Sequence, residues 1–144
     1  LTIAGCEPPD GASLPRCVSS VGFVSKRTAA GMAQVISLLA QSHFLILPSR
    51  AECCAIVFAE ANALGVPCLT TNVGGISTAV RDGVNGRLFS AGARAEEYAA
   101  YIANQFANYD QYEELALSSF VEYDSRLNWS VAARTMRRLL EEAL

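Results

Sequence analysis

The chain has 144 residues, 51% of them hydrophobic and 17% charged, and its formal net charge is -3. This composition is typical of a globular protein rather than a disordered one, and the length allows one compact domain but hardly two. Lys26 is the single lysine and the arginines are scattered, which excludes the basic surface of a nucleic-acid-binding protein. No apolar run reaches the roughly 18 residues that a transmembrane segment needs.

Short apolar runs alternate with helical patterns through the first part of the chain. The strand-like runs are LTIA (1–4), VGFV (21–24), HFLIL (43–47), PCLTT (67–71) and, as an edge, GRLF (86–89). Helical patterns cover residues 28–41 and 55–64, and the second ends before Gly65, where a C-terminal cap favours glycine. The first of these helices carries apolar residues on one face: Met32, Val35, Ile36 and Leu39. The alternation predicts a doubly wound, Rossmann-like α/β fold with a parallel sheet covered on both faces.

Beyond residue 89 the strand patterns stop, and three helices rich in Glu and Ala are predicted over residues 93–108, 109–127 and 130–144. We expect them to pack across the end of the sheet or to reach another domain. Ser130 is a good N-cap for the last helix, and this role is favoured over glycosylation at the NWS sequon, residues 128–130. The chain begins with Leu1 rather than Met, so we expect a fragment of a longer protein.

The cysteines and the single histidine give no sign of a metal or nucleophile site. None of the five cysteines falls in a CxxC or Cys/His zinc pattern, and reduced thiols favour a cytoplasmic protein. The adjacent Cys53 and Cys54 could form a redox pair, but small apolar filler is the favoured interpretation. His43 opens the third predicted strand and is interpreted as structural, since a Ser-His-Asp or Cys-His site would depend on this one residue.

Ligands of open parallel sheets bind at the carboxyl ends of the strands. The loops at those ends are CEPPDGA (6–12), SKRT (25–28), PSRAECC (48–54) and NVGG (72–75). Neither a GxGxxG nor a GxxxxGK[ST] motif occurs, so a phosphate must be held otherwise, and the start of the helix near Ala55 offers backbone N–H groups and a positive dipole end. Gly74 and Gly75 allow either the close approach of a second backbone or a tight turn.

Glu60 falls on the face of the second helix that also carries Ile56, Val57, Ala63 and Leu64, which we predict to be buried. A buried carboxylate without a partner costs several kcal/mol. No lysine or arginine lies one helical turn away from Glu60, so the pattern calls for a partner elsewhere in the protein or for a ligand.

The spacing of these residues resembles a known family. The segment LPSRAE is followed after seven residues by EANALGVPCLTTNVGG and then by VRDGVNGRLF. This frame closely resembles the C-terminal, donor-binding domain of retaining GT-B glycosyltransferases of the group 1 family, also called family 4. The dense match covers residues 43–89, and GFVSK (22–26) and LNWSVAARTMRRLL (127–140) match more loosely.

The resemblance implies a role for each matching position. Glu60 would bind the ribose hydroxyls of a nucleotide-sugar donor, and Glu52, the candidate catalytic residue, would bind hydroxyls of the transferred sugar. The remaining donor-binding positions are the backbone N–H groups of Cys54, Ala55 and Ile56, the base-contacting loop with Val24 and Lys26, and the pair Gly74 and Gly75. The donor would be a substrate, and the sequence shows neither a cofactor nor a metal motif.

Two departures from the family pattern affect this expectation. The family has an aromatic residue and glycine where this chain has Cys54 and Ala55, so Ala55 must adopt a negative φ. The Arg and Lys that neutralise the diphosphate in the family are also missing, and Arg50 and Lys26 are the only substitutes near the motif. Sugar transfer would further need an N-terminal acceptor domain of the parent chain. We therefore expect donor binding without turnover by these residues alone. The alternatives are a sugar-nucleotide epimerase and a non-catalytic Rossmann-like nucleotide-binding or interaction module.

Overall fold

The computed structural model describes residues 1–8, 13–53 and 55–143. The chain divides into two compact units, Leu1–Gln41 and Ser42–Leu144, where the length alone predicts one. Each unit has its own parallel sheet, with two strands in the first and three in the second. The strand hydrogen bonds that hold a sheet together are thus confined within each unit, and this is the physical reason for the division.

The first unit begins with β1 (Thr2–Ile3), which pairs in parallel with β2 (Ser19–Ser20). The second predicted strand, residues 21–24, therefore lies two residues too late. Pairing of the two chain segments continues beyond β2 only as far as Gly22, which accepts a hydrogen bond of 2.8 Å from the Gly5 N–H. The positive φ of Gly22, 63°, ends the extended backbone there.

Helix α1 (Ala29–Ala40) confirms the helix predicted over residues 28–41. The side chain of Thr28 caps its start, because the hydroxyl oxygen accepts a hydrogen bond of 3.1 Å from the Gly31 N–H. Of the apolar residues predicted on its inner face only Leu39 is buried. The helical period was therefore predicted correctly, while most of that face remains accessible to solvent.

The second unit is built on β3 (Leu45–Leu47), β4 (Cys68–Thr71) and β5 (Gly86–Phe89). All three strands are parallel and their order in the sheet is β3-β4-β5, so β5 is an edge strand as predicted. Every residue of the central strand β4 is buried. The α/β class with parallel sheets and flanking helices, predicted from the alternation of apolar runs, is confirmed.

The helices of the second unit are α2 (Ile56–Asn62), α3 (Ile76–Ala79), α4 (Ala95–Ala107), α5 (Tyr109–Glu122) and α6 (Trp129–Glu142), with a π-helical turn at Tyr123–Leu127. Helix α3 is not predicted by the sequence, because four residues are too few to show a helical period. The three predicted C-terminal helices are present, and Leu144, the predicted end of the last, lies outside the described residues. No helix in the described ranges is long and apolar enough to cross a membrane.

The cap of α6 differs from the prediction. Asn128, not Ser130, is the N-cap, and its side-chain oxygen accepts a hydrogen bond of 3.0 Å from the Val131 N–H. The amide nitrogen of Asn128 also donates to the carbonyls of Tyr123 and Asp124. Asn128 joins the preceding π-helical turn to the start of the helix through three hydrogen bonds, whereas a serine hydroxyl has a single hydrogen and could donate to only one of the two carbonyls.

Aromatic and aliphatic side chains form the core between the sheet and α4. Leu69, Phe89 and Tyr98 are buried there, and the rings of Phe89 and Tyr98 stack with centroids 3.9 Å apart. His43 precedes β3 and is exposed, and its ring lies edge-on at 5.0 Å from the ring of Phe106. This contact places the ring at the rim of the aromatic layer.

Candidate functional site

The candidate site lies at the carboxyl ends of β3 and β4. These strands are neighbours in parallel register, with Leu47 paired to Thr70, so the loops that follow them leave the sheet at the same edge. The loops meet directly, because the Gly75 N–H donates a hydrogen bond of 3.2 Å to the backbone carbonyl of Glu52. The structure thus brings together Glu52 and the glycine pair, which the sequence places in separate loops.

Both glycines lie against the backbone of the loop that carries Glu52. A Cβ atom on Gly74 would lie 2.0 Å from the Glu52 carbonyl oxygen, and one on Gly75 would lie 1.9 Å from the Cys53 carbonyl oxygen. Gly74 also has a positive φ of 55°. The glycine pair therefore forms a turn and also allows the close approach of another backbone, so both alternatives occur. The approaching backbone is that of the protein's own loop with Glu52.

Two threonines of β4 tie the same pair of chain segments together. The hydroxyl of Thr70 donates a hydrogen bond of 2.7 Å to the Leu47 carbonyl, inside β3. The hydroxyl of Thr71 donates to the carbonyl of Ser49, at the start of the loop that carries Glu52. The sequence patterns did not single out these two threonines. Their hydroxyls lie in a strand that was predicted to be buried and must therefore find hydrogen-bond acceptors, and this requirement could have identified them.

Glu52 lies in the loop before α2, as predicted, and is half-buried. Its Oε1 oxygen accepts a hydrogen bond of 2.9 Å from the Cys53 N–H. Cys53 itself is exposed, so the interpretation of this thiol as buried filler is wrong. Cys54, expected to contribute its backbone N–H, lies outside the described residues, as do residues 9–12 of the predicted loop CEPPDGA.

Ala55 is the N-cap of α2 and has φ −72° and ψ 116°. This negative φ is the condition under which alanine can replace the glycine of the family pattern, so the substitution introduces no backbone strain. Ile56 begins the helix and its side chain is 60% exposed. The two residues expected to contribute backbone N–H groups thus lie at the helix start, next in the chain to the segment that carries Glu52.

Helix α2 buries the face opposite to the one predicted. Its buried residues are Phe58, Ala61 and Asn62, whereas Ile56 and Leu64, predicted as inner residues, are 60% and 40% exposed. The helix is only seven residues long, so the apolar spacing of Ile56 and its neighbours was a weak guide to its orientation. The side chains that pack under β4 decide which face is buried.

Glu60 lies inside α2, as predicted, and is half-buried, with its Oε2 oxygen inaccessible to solvent. The residue has an interaction within the protein. The burial of its charge therefore does not by itself call for a ligand. The observation that still supports a binding role is the position of Glu60, on the less buried face of the helix that follows the Glu52 loop.

The residues expected to contact a base belong to the first unit. Val24 and Lys26 follow β2; Val24 is half-buried, and Lys26 is exposed and has an interaction within the protein. Arg50, the other cation offered as a substitute, is exposed in the loop after β3 of the second unit. Direct contacts thus link Glu52 to Gly74 and Gly75, while Val24 and Lys26 occupy the corresponding loop of a different sheet.

A buried amide pair at the opposite end of β4 was also missed. The side chains of Asn62 and Asn85 are both fully buried, and Asn85 Nδ2 donates a hydrogen bond of 2.6 Å to Asn62 Oδ1. Asn62 Nδ2 lies 3.6 Å from the Cys68 sulfur. Burial raises the pKa of the Cys68 thiol to about 12, and the contact with Asn62 opposes this only in part. Cys68 is therefore a protonated, inert core residue.

Two surface hollows of the second unit, of about 510 and 400 Å³, are lined by residues of α5. Neither of these two is lined by Glu52 or Glu60. Within the described residues, no group of three or more His, Cys, Asp or Glu side chains could hold a metal ion. The chemistry available at the strand ends is therefore that of carboxylates, hydroxyls and backbone N–H groups, which suits the recognition of a polyhydroxylated ligand.

Comparison with known proteins agrees with this arrangement. A family model described as "Glycosyl transferases group 1" matches residues 1–108. A D-inositol 3-phosphate glycosyltransferase from Nocardiopsis dassonvillei is 36% identical over 96 residues, which are 67% of this chain and 21% of that protein. One from Streptomyces coelicolor is 29% identical over 137 residues, which are 92% of this chain and 29% of that protein.

Solved structures share the fold. Anabaena Alr3699/HepE in complex with UDP superposes with a TM-score of 0.70 at 23% identity, over 87% of this chain and 32% of that one. A sucrose-phosphate synthase from Thermosynechococcus elongatus gives 0.70 at 23% identity, over 88% and 30% of the two chains. The 144 residues thus span between about a fifth and a third of the length of these proteins.

Proposed function

This chain belongs to the group 1 glycosyltransferases, and we propose that it is the donor-binding part of an enzyme that transfers a sugar from a nucleoside-diphosphate sugar to a hydroxyl acceptor. One observation carries the proposal: the strand-end loop with Glu52, held by Gly74 and Gly75, leads directly into the helix with Glu60. Solved structures of the same fold contain UDP and UDP-glucose, which supports a nucleotide-sugar donor.

The two carboxylates bind different parts of the donor. Glu60 accepts hydrogen bonds from the ribose hydroxyls, and Glu52 accepts them from hydroxyls of the transferred sugar. Charge-assisted hydrogen bonds of this kind are each worth about 1.5 to 3 kcal/mol. The backbone N–H groups of Cys54, Ala55 and Ile56 meet the sugar and the diphosphate, and Val24 acts on the base through its backbone.

The transfer proceeds with retention of configuration. The bond between the anomeric carbon and the diphosphate oxygen breaks, the same carbon forms a bond to the acceptor oxygen, and the proton of the acceptor hydroxyl passes to the departing diphosphate. The diphosphate must be stabilised as its charge develops, and we assign this role to Lys26 and Arg50, which follow β2 and β3 in the chain. An N-terminal domain of the parent protein positions the acceptor, so we expect no transfer by the 144 residues alone.

The remaining parts of the proposal concern cellular context and alternatives. Cys6, Cys17, Cys53 and Cys68 are free thiols, which supports a cytoplasmic location, with any membrane attachment made by the domain outside these residues. The relatives named above are glycosyltransferases, which does not favour a non-catalytic Rossmann-like module. The donor requires no cofactor from this chain.

Nucleotide binding by the 144-residue chain tests the proposal. Thermal shift measurements with UDP, GDP, ADP and UDP-glucose are expected to show stabilisation by one nucleotide, since a ligand at about 100 times its Kd adds roughly 2.7 kcal/mol. Glu60→Gln is expected to weaken that nucleotide and its sugar conjugate alike, by about tenfold to a hundredfold. Glu52→Gln is expected to weaken only the sugar conjugate.

Glu113→Gln provides the matched control, because it makes the same isosteric change and removes one charge. Glu113 is exposed on α5 and is distant in sequence from Glu52 and Glu60. This variant is expected to leave both affinities unchanged. If no nucleotide stabilises the chain, the proposal of a donor site is wrong. If Glu60→Gln leaves the nucleotide affinity unchanged, the ribose role is wrong.

A further inference from the structure

We propose that Thr71 is a positioning residue for sugar recognition, which acts by fixing the loop that carries Glu52. The inference rests on the proposed function, since it assigns to Thr71 the task of orienting the sugar-binding carboxylate. Thr71 is the last residue of β4 and is 4% exposed. Its hydroxyl donates to the carbonyl of Ser49, which lies beyond the end of β3, in the loop that leads to Glu52.

The loop is held at two points by the neighbouring segment. Thr71 binds the carbonyl of Ser49, and Gly75 donates its N–H to the carbonyl of Glu52, 3.2 Å away. Both anchors belong to β4 and its following turn. The Oε1 oxygen of Glu52 accepts a hydrogen bond of 2.9 Å from the next residue's N–H, that of Cys53, so the orientation of the carboxylate depends on the course of the loop backbone.

Thr70 performs the same chemistry without reaching this loop. It is fully buried, and its hydroxyl donates to the carbonyl of Leu47 at 2.7 Å, inside β3. The two threonines are adjacent, both are buried, and both bind a backbone carbonyl of the neighbouring segment. The acceptor of Thr70 belongs to strand β3, so Thr70 contributes to the stability of the sheet. The acceptor of Thr71 belongs to the loop that carries Glu52, so Thr71 acts at the site.

Loss of the Thr71 hydroxyl should weaken the binding of the sugar and leave the binding of the nucleotide unchanged. Recognition of sugar hydroxyls requires carboxylate oxygens held to within about 0.5 Å, and a misplacement of about 1 Å can lower the rate of a positioned reaction by roughly a hundredfold. Release of the Ser49 carbonyl lets the loop shift at Glu52. Glu60 lies on α2, whose buried face packs independently of this hydroxyl, so ribose binding is retained.

The test measures the dissociation constants of UDP and UDP-glucose by calorimetry for the 144-residue chain and its variants. Thr71→Val removes the hydroxyl at nearly constant volume, and we expect it to lower the preference for UDP-glucose over UDP by about tenfold, with UDP affinity unchanged. Thr71→Ser keeps the hydroxyl and should retain the preference. Thr70→Val, the matched control, should lower thermal stability and leave the preference unchanged.

A double-mutant cycle with Glu52→Gln separates positioning from general destabilisation. If Thr71 acts through Glu52, Thr71→Val has no further effect on the preference once Glu52 is replaced. Equal and additive effects in both backgrounds would overturn the inference, as would an unchanged preference in Thr71→Val while Glu52→Gln abolishes it. If Thr71→Val does not fold, Thr71→Ala removes the same hydroxyl and allows the same comparison.

The failure of the inference is distinguishable from failure of the proposed function. If the unmodified chain binds GDP or ADP instead of UDP, the same comparison uses that nucleotide and its glucose conjugate. If it binds none of these nucleotides, or if Glu52→Gln leaves the preference for the sugar conjugate unchanged, the sugar role of Glu52 is wrong and the inference falls with it. If Glu52→Gln abolishes the preference and Thr71→Val does not change it, only the positioning role is wrong.

Discussion

The two ends of β4 are held by different kinds of interaction. At the amino end the buried amides of Asn62 and Asn85 bind each other, and Asn85 also binds the Ala79 carbonyl and the Arg81 N–H. At the carboxyl end backbone atoms approach backbone atoms, across glycines, and leave Glu52 half-buried. A polar group that is satisfied and buried stabilises a fold, whereas a carboxylate left partly accessible is available to a ligand.

The largest expected effect is at the amino end. Asn85→Ala should lower the free energy of unfolding by about 3 kcal/mol, because it removes three hydrogen bonds, two buried and one part-buried, each worth roughly 1 kcal/mol. Urea unfolding measures this change. Asn104→Ala, at an exposed position of α4, should stay within about 0.5 kcal/mol of the unmodified chain. Equal effects of the two variants would show that the amide pair is not a special source of stability.

A smaller effect is expected from Gly75→Ala at the carboxyl end. The new Cβ would lie 1.9 Å from the Cys53 carbonyl oxygen, so one of the two loops must move, at a cost of about 1 to 3 kcal/mol. The affinity for UDP-glucose should fall when the loop moves, while the affinity for UDP is retained. The control is Gly92→Ala, since a Cβ there meets nothing within 4 Å. Crystallographic or NMR evidence that the Glu52 loop is unmoved in Gly75→Ala would contradict the account of the glycine pair.

Alkaline pH should weaken the second unit through Cys68. Burial in the folded state raises the thiol pKa to about 12 from the ordinary thiol pKa of 9.0, so the unfolded chain loses its proton first. The stabilisation is complete below pH 9 and falls as the pH rises from 9 towards 12, by roughly 1.4 kcal/mol per pH unit. Burial also raises the pKa values of Tyr98, Tyr101 and Tyr112, which adds to the loss above pH 10.

Urea unfolding at a series of pH values from 8 to about 10.5 measures this slope. Cys68→Ala should lower the stability at neutral pH, because it removes buried volume, and should flatten the decline above pH 9. Cys17→Ala, at an exposed position, should leave the slope unchanged. An identical decline in Cys68→Ala and in the unmodified chain would show that the thiol does not contribute to it.

The smallest effect is expected at the start of α2. Ala55→Gly should change the free energy of unfolding by less than about 0.5 kcal/mol, because glycine is favoured over alanine at an N-cap but loses more backbone entropy on folding. UDP affinity should stay within about twofold, since Ala55 already has a φ of −72° that both residues adopt. A large gain in affinity with glycine would show that the methyl group of Ala55 obstructs the diphosphate.

Much of the second unit could be predicted from local patterns. The apolar runs placed β3, β4 and β5 within one or two residues, because short runs bounded by turn residues have few other structures available. Helix α2 ends at Asn62, two residues before the predicted end at Leu64, but the glycine cap at Gly65 is as predicted. Gly65, with φ 68°, and Val66 donate their N–H groups to the Asn62 and Ala61 carbonyls, in the pattern of a Schellman cap.

The family frame located the candidate site in sequence, but not what holds it in place. Glu52 in a loop and Glu60 in the following helix were both predicted correctly from the alternation of strand and helix patterns. The anchor provided by Thr71 and the partner of Glu60 within the protein were not predicted, because each depends on a residue distant in sequence or on the packing of α2. Spacing alone cannot report contacts that the folded chain creates.

By itself, the sequence determined the parallel α/β class, the order of the strands and the longer helices, and the placement of Glu52 in a loop and Glu60 in a helix, since these depend on runs and spacings of neighbouring residues. Only the tertiary structure decided that α2 buries Phe58 rather than Ile56, and that Gly74 and Gly75 cradle the backbone of the Glu52 loop. The physical reason is the same in both cases. Which face is buried and which backbone comes close are properties of packing between segments, and no local pattern contains the partner.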